Sequence, residues 1–138
     1  MKMCPVVHFE MPAEDRKRMI EFYSKVFGWQ TQEMGPEMGD YIVVTTTESD
    51  PKTRRPTTPG AINGGFYGKD KTNLSDSPHL VVSVENTDEH IKLITEAGGK
   101  LLNGPDDIPG VGRYASLYDT EGNIISILQP SSDMMNGT

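Results

Sequence analysis

At 138 residues the chain has the length of one domain, and such a domain buries roughly 68–70% of its unfolded surface, enough for a hydrophobic core. A formal net charge of −7 and a pI near 4.9 argue against nucleic-acid phosphates or an anionic membrane surface as the main partner. The single cysteine, Cys4, excludes an internal disulfide, and no apolar run approaches the ~20 residues of a membrane span.

The segment Met1-Lys2-Met3-Cys4-Pro5 leads straight into a strand with no apolar signal core, so a cytoplasmic location is expected. Val6 to Met11 alternates with period 2, which places His8 and Glu10 on one face and Val7, Phe9 and Met11 on the greasy one. Asp15 is positioned as a helix N-cap, and Met19, Ile20, Phe22, Tyr23, Val26 and Phe27 supply an apolar stripe that ends at Gly28. Phe22, Tyr23 and Phe27 are expected to pack between helix and sheet. Strands follow at Trp29 to Met34 and Tyr41 to Thr47, separated by a turn rich in glycine.

Thr47 to Pro59 is a polar loop carrying Lys52, Arg54 and Arg55. It reads either as a solvated connection or as a flap that meets an anionic group. Ala61 to Tyr67 forms the next strand, whose Gly64-Gly65 pair suits a bulge or the close approach of a ligand. The polar stretch 68–77 is the linker between two units, 5–67 and 78–130, of one domain spanning 1–138. His79 to Val84 is a strand, and Asn86 with Glu89 forms a capping box for a helix that runs to Ala97 and stops at Gly98-Gly99. Lys100 to Asn103, Arg113 to Tyr118 and Asn123 to Gln129 are strands, the last two joined by a turn at Asp119 to Asn123. The tail after Pro130 is polar and expected to fray.

The offset that brings His8 onto His79 also brings Asp15 onto Asn86, Ile20 onto Ile91, Phe22 onto Leu93, Tyr23 onto Ile94 and Gly28 onto Gly99. Two copies at so long a period exclude a solenoid and point to a duplicated half-domain. The predicted order is β-α-β-β-β, written twice, in the α+β class.

A pair of such units, each opened by a histidine, resembles the vicinal-oxygen-chelate superfamily of glyoxalase I, bleomycin-resistance proteins, fosfomycin-resistance enzymes and extradiol dioxygenases. The motifs that carry the resemblance are His8 to Asp15, Glu21-Phe22-Tyr23 through Gly28-Trp29, His79 to Val84, and Asp119 to Asn123. It implies a curved mixed sheet around a small-molecule cleft lined by His8, Glu10, Asn63, His79 and Ser126. It also implies a divalent metal, Zn, Ni, Fe or Mn, on His8 and His79, although the family's two last-strand carboxylates are replaced here by Ser126 and by Asn63 or Gly65. That departure leaves three readings open. One is a metal-assisted lyase, isomerase or oxygenase on a substrate with adjacent oxygens, in which Glu10 is the catalytic base or a further ligand. Another is metal-free acid–base work by histidine and Glu10. The third is a non-catalytic antibiotic- or metabolite-binding protein. A homodimer is compatible with all three. His90 and Cys4 are expected to have no ligand role, and Arg113 to form a rim salt bridge.

Overall fold

The computed structural model of the chain describes residues 2–69 and 77–131, so most of the expected linker and the tail expected to fray lie outside the described residues. The chain divides into two compact units, His8–Pro78 and Met1–Val7 together with His79–Thr138. The elements are β1 (Val6–Ala13), α1 (Arg16–Phe27), β2 (Gln30–Glu33), β3 (Ile42–Thr45), β4 (Asn63–Gly68), β5 (His79–Ser83), α2 (Thr87–Glu96), β6 (Lys100–Ile108), β7 (Gly112–Tyr118) and β8 (Ile124–Pro130). This is β-α-β-β-β twice, as the repeat predicts.

In the first unit the strand order is β2-β3-β4-β1, with β1 and β4 parallel and the other pairs antiparallel. The Asp15 side chain accepts from the Arg18 amide at 3.0 Å to start α1, and Gly28 ends it in the left-handed conformation at φ 72°. Met19, Ile20 and Tyr23 lie over Ile42, Val44 and Phe66, with Phe9, Met11 and Trp29 completing the core. Tyr23 stacks on Trp29 with ring centres 4.8 Å apart. The expected aromatic stripe is narrower than the sequence suggests: Phe22 and Val26 are 53% and 54% exposed and Phe27 is 60% exposed. Phe22 is rotated about 100° around the helix from Tyr23 and so points away from the sheet, while Phe27, in the last turn, stacks on Tyr23 and tilts against Trp29 with its outer surface exposed.

The second unit repeats the plan with order β5-β8-β7-β6, in which β5 and β8 are parallel. Asn86 caps α2 by accepting from the Glu89 amide at 3.0 Å, the counterpart of the Asp15 cap at the same offset. Val84, Ala115, Leu117 and Ile127 form the core with Val82, Ile91, Ile94 and Cys4. Fully buried Thr87 fixes the start of α2 by donating from its hydroxyl to the Arg113 carbonyl at 2.7 Å and from its amide to Gln129 Oε1 at 3.1 Å. Arg113 forms the expected salt bridges, to Asp88 and Asp107 at 3.1 Å each, and these two carboxylates raise its pKa, Asp88 first.

Of the expected Gly98-Gly99 stop, Gly98 is the residue with positive φ (105°), one before the position aligned with Gly28, because α2 is shorter. One detail departs from expectation. Strand β6 runs on to Ile108 instead of stopping at Asn103, since register shifts between Leu101 and Asp106 absorb the Gly104-Pro105 interruption at the end of the strand order.

Candidate functional site

In the first unit the parallel register sets His8 opposite Asn63 and Glu10 opposite Gly65. Phe9 and Met11 pack toward α1, so His8 and Glu10 occupy the other face, their backbones about 6–7 Å apart. Glu10 is 6% exposed, and the Tyr41 hydroxyl donates to its Oε2 at 2.8 Å. Tyr41 stands two residues before Val43, the β3 partner of Gly65, and reaches Glu10 across β4. A Cβ on Gly65 would overlap the Tyr41 hydroxyl, and one on Gly64 would overlap the Phe9 carbonyl on the opposite face. The glycine pair therefore makes room for the Tyr41 side chain on one face and for the Phe9 carbonyl and ring on the other, with β4 in regular register, rather than forming a bulge.

His8 Nδ1 lies 3.1 Å from the Asn63 carbonyl oxygen, which can only accept, so the ring proton sits on Nδ1 and Nε2 is the atom left to exchange a proton or meet a ligand. The Asn63 side chain accepts from the Thr46 amide at 2.9 Å and donates to Ser49 Oγ at 2.9 Å. One buried asparagine thus orients His8 through its backbone and secures the loop after β3 through its amide. That loop is ordered by its own bonds: Ser49 and Pro56 form a bridge, and the Asp50 carboxylate accepts from the Lys52 and Thr53 amides at 2.7 and 3.0 Å. Those amides, Thr53 first, hold the Asp50 carboxyl below the usual aspartate range.

In the second unit His79 is 5% exposed and Ser126 fully buried, and both lie on the face turned away from the core residues Val82 and Ile127. Ser126 Oγ is 2.6 Å from the Tyr114 hydroxyl and 2.9 Å from Ser116 Oγ. Strand register shows which positions correspond between units. Val81 pairs with Ser126 as Glu10 pairs with Gly65, and Ser116 pairs with Ser126 as Val43 pairs with Gly65. Tyr114 is accordingly the counterpart of Tyr41, Val81 that of Glu10, and Ser126 that of Gly65.

This arrangement bears on metal binding. Among the described residues no group of three or more His, Cys, Asp or Glu side chains is placed to hold a metal ion. Of the positions where a carboxylate ligand is expected, Gly65, the counterpart of Ser126, has no side chain to offer, Asn63 has its amide engaged by Thr46 and Ser49, and Ser126 is engaged by Tyr114 and Ser116. A strong divalent site wants three or four protein ligands, and this donor set does not fit one. Outside these faces, His90 Nε2 lies 3.6 Å from Cys4 Sγ on the helix side of the second unit.

Tyr41, Thr46, Ser49 and Ser116, the partners of Glu10, Asn63 and Ser126, were not singled out from the sequence. The Gly64-Gly65 pair was the available signal for Tyr41, because a strand glycine marks a close approach without saying by what.

The chain belongs to the Glyoxalase/Bleomycin resistance protein/Dioxygenase superfamily, whose family model matches residues 6–127. A glyoxylase-like domain-containing protein from Didymella fabae is 31% identical over 121 residues, covering 86% of this chain and 88% of that protein. The putative glyoxylase CFP32 of Mycobacterium tuberculosis is 40% identical over 68 residues, 49% of this chain and 26% of its own length. The anthracycline biosynthesis protein DnrV of Streptomyces peucetius is 26% identical over 125 residues, and the match covers 86% of this chain and 44% of DnrV. The chain thus spans about a quarter of CFP32 and under half of DnrV. Among solved structures, methylmalonyl-CoA epimerase from Streptomyces coelicolor in complex with 2-nitronate-propionyl-CoA superposes with a TM-score of 0.66 at 13% identity, covering 95% of this chain and 97% of that one. The Mycobacterium tuberculosis epimerase gives 0.64 at 15%, covering 95% and 91%. The shared architecture is the glyoxalase-like fold of tandem βαβββ units.

Proposed function

We propose that the chain is a metal-independent proton-transfer enzyme acting on a small molecule with adjacent oxygens, with Glu10 as the base. The observation that carries this reading is the buried Glu10 carboxylate held by Tyr41 across Gly65. A buried carboxylate oriented by a phenol, on a sheet face rather than in the core, is suited to removing a proton from carbon. The substrate class is a carbon acid whose C–H adjoins a carbonyl. Glu10 takes the proton, the C–H electron pair moves into the enolate, and the developing oxyanion lies at His8 Nε2. Asn63 keeps the Nδ1 proton of His8 in place, so Nε2 faces the substrate. Returning the proton to the same carbon or its neighbour gives epimerisation or isomerisation, and epimerases share this fold. The metal-assisted route is disfavoured because the carboxylate positions hold Ser126 in the second unit and Gly65 or Asn63 in the first: Gly65 has no donor, and Asn63 and Ser126 are tied to other partners.

The test is solvent deuterium incorporation, followed by NMR, across a panel of 2-oxo acids and 2-substituted 3-oxo thioesters. Exchange should be unaffected by EDTA and fall by roughly 10²-fold or more in Glu10→Gln. Undiminished exchange in Glu10→Gln overturns the assignment. Loss on chelation with recovery on added Zn²⁺ or Ni²⁺ restores the metal route. Saturable binding of panel members without exchange assigns the chain to the sequestering class instead.

A further inference from the structure

The Thr47 to Pro59 loop is one of two places where cations gather on this acidic chain, which carries 20 acidic and 13 basic side chains. Lys52, Arg54 and Arg55 fall within four consecutive residues and are all exposed. None of the three side chains has an ion-pair partner among the described residues, whereas Arg113 is paired twice and Lys2 pairs with Glu85. The nearest acid in sequence, Asp50, directs its carboxylate to the backbone amides of Lys52 and Thr53.

The segment is built rather than slack. The Asp50 amide donates to the Arg55 carbonyl at 2.9 Å, the Arg54 amide to the Asp50 carbonyl at 2.7 Å, and the Thr57 amide to the Glu48 carbonyl at 3.0 Å. Arg54 itself sits in the left-handed region at φ 62°, a conformation that L side chains seldom adopt. A solvated connection requires neither the bridge nor an arginine at that position. The foot of this arm is tied to the candidate site through Ser49 Oγ, the Asn63 side chain, the Asn63 carbonyl and His8 Nδ1. About three strand steps separate Ser49 from the tip, so the cations lie within roughly 10 Å of that foot.

We propose that the Ser49–Pro56 arm binds the anionic tail of the ligand whose reacting end meets His8 and Glu10, which makes that ligand a small oxygenated molecule carrying a phosphate or carboxylate. The inference rests on the assignment of the His8–Glu10 face as the ligand face, but its test does not use turnover. Inorganic pyrophosphate and, separately, succinate are titrated into the 15N-labelled protein, and amide shifts are followed. Saturable shifts should centre on residues 49–57, and whichever probe binds more tightly identifies the tail. Replacing Lys52, Arg54 and Arg55 together by Gln should weaken the tighter probe at least tenfold. Lys17→Gln with Arg18→Gln, which depletes the other basic run, should leave it unchanged. Glu10→Gln should also leave it unchanged, so failure of the proton-transfer assignment and failure of the anion arm are separately visible. Absence of saturation with both probes, unchanged affinity in the triple variant, or equal loss in the Lys17 and Arg18 variant overturns the proposal.

Discussion

Tyr41 reaches Glu10 only because residue 65 has no side chain, so three residues far apart in sequence form one device. Gly65→Ala should force the Tyr41 ring off β4 and separate it from the carboxylate. A stability loss of about 1–3 kcal/mol is expected from overpacking, read as a lower urea midpoint with unchanged m-value. In a Tyr41→Ala background the clash has no partner, and most of that cost should vanish; an undiminished cost would mean that Gly65 answers to something other than Tyr41. The sequence made His8 and Glu10 legible because period 2 needs only their own strand. Tyr41 was illegible because its position depends on the β3–β4–β1 register, which no local pattern encodes. Asn63 was visible as a last-strand position of the first unit, but its place opposite His8 and its hold on Thr46 and Ser49 were not.

Elements were read best where a side chain closes its own backbone. Asp15 and Asn86 cap their helices from aligned positions, since a cap is a contact across three residues and needs no tertiary knowledge. The β7–β8 turn is of the same kind: Asp119 accepts from the Glu121 and Asn123 amides at 2.8 Å and from the Asn123 side-chain amide at 2.9 Å. These donors, the Asn123 side chain first, lower the Asp119 pKa in the folded chain. A folded pKa below the unfolded one means that the contribution is complete above about pH 3.9 and is lost as pH falls through the folded value. A carboxyl 13C titration should place the Asp119 midpoint below about 3.9, with hairpin amide exchange accelerating as it protonates. A midpoint at or above that value would show that the turn does not depend on the carboxylate. The loop after β3 was read as polar and basic, while its Ser49–Pro56 bridge, closed by backbone bonds between residues that share no side-chain pattern, was not legible.

Across the whole molecule the duplication preserved the tyrosine and changed what it touches. Tyr41 passes over a glycine to reach an acid, while Tyr114 stops at Ser126, and Val81 occupies the place of Glu10. The repeat in the sequence announced two equal units, yet only strand register reveals that their polar pairs differ, because the alignment at constant offset does not extend to the last strands. The difference is testable by transplant. Val81 is 3% exposed and lies opposite Ser126, whose hydroxyl is engaged by Tyr114 and Ser116, so Val81→Glu alone buries a carboxylate beside an occupied hydroxyl and should cost about 3 kcal/mol or more. Ser126→Gly removes the hydroxyl that now engages Tyr114 and opens the same crossing that Gly65 provides. With both changes the Tyr114 hydroxyl gains a route to the new carboxylate, and a double-mutant cycle should return a favourable coupling of about 1–3 kcal/mol. Additive costs would mean that the tyrosine–acid pair needs more of the first unit than the glycine and the strand register that position it there.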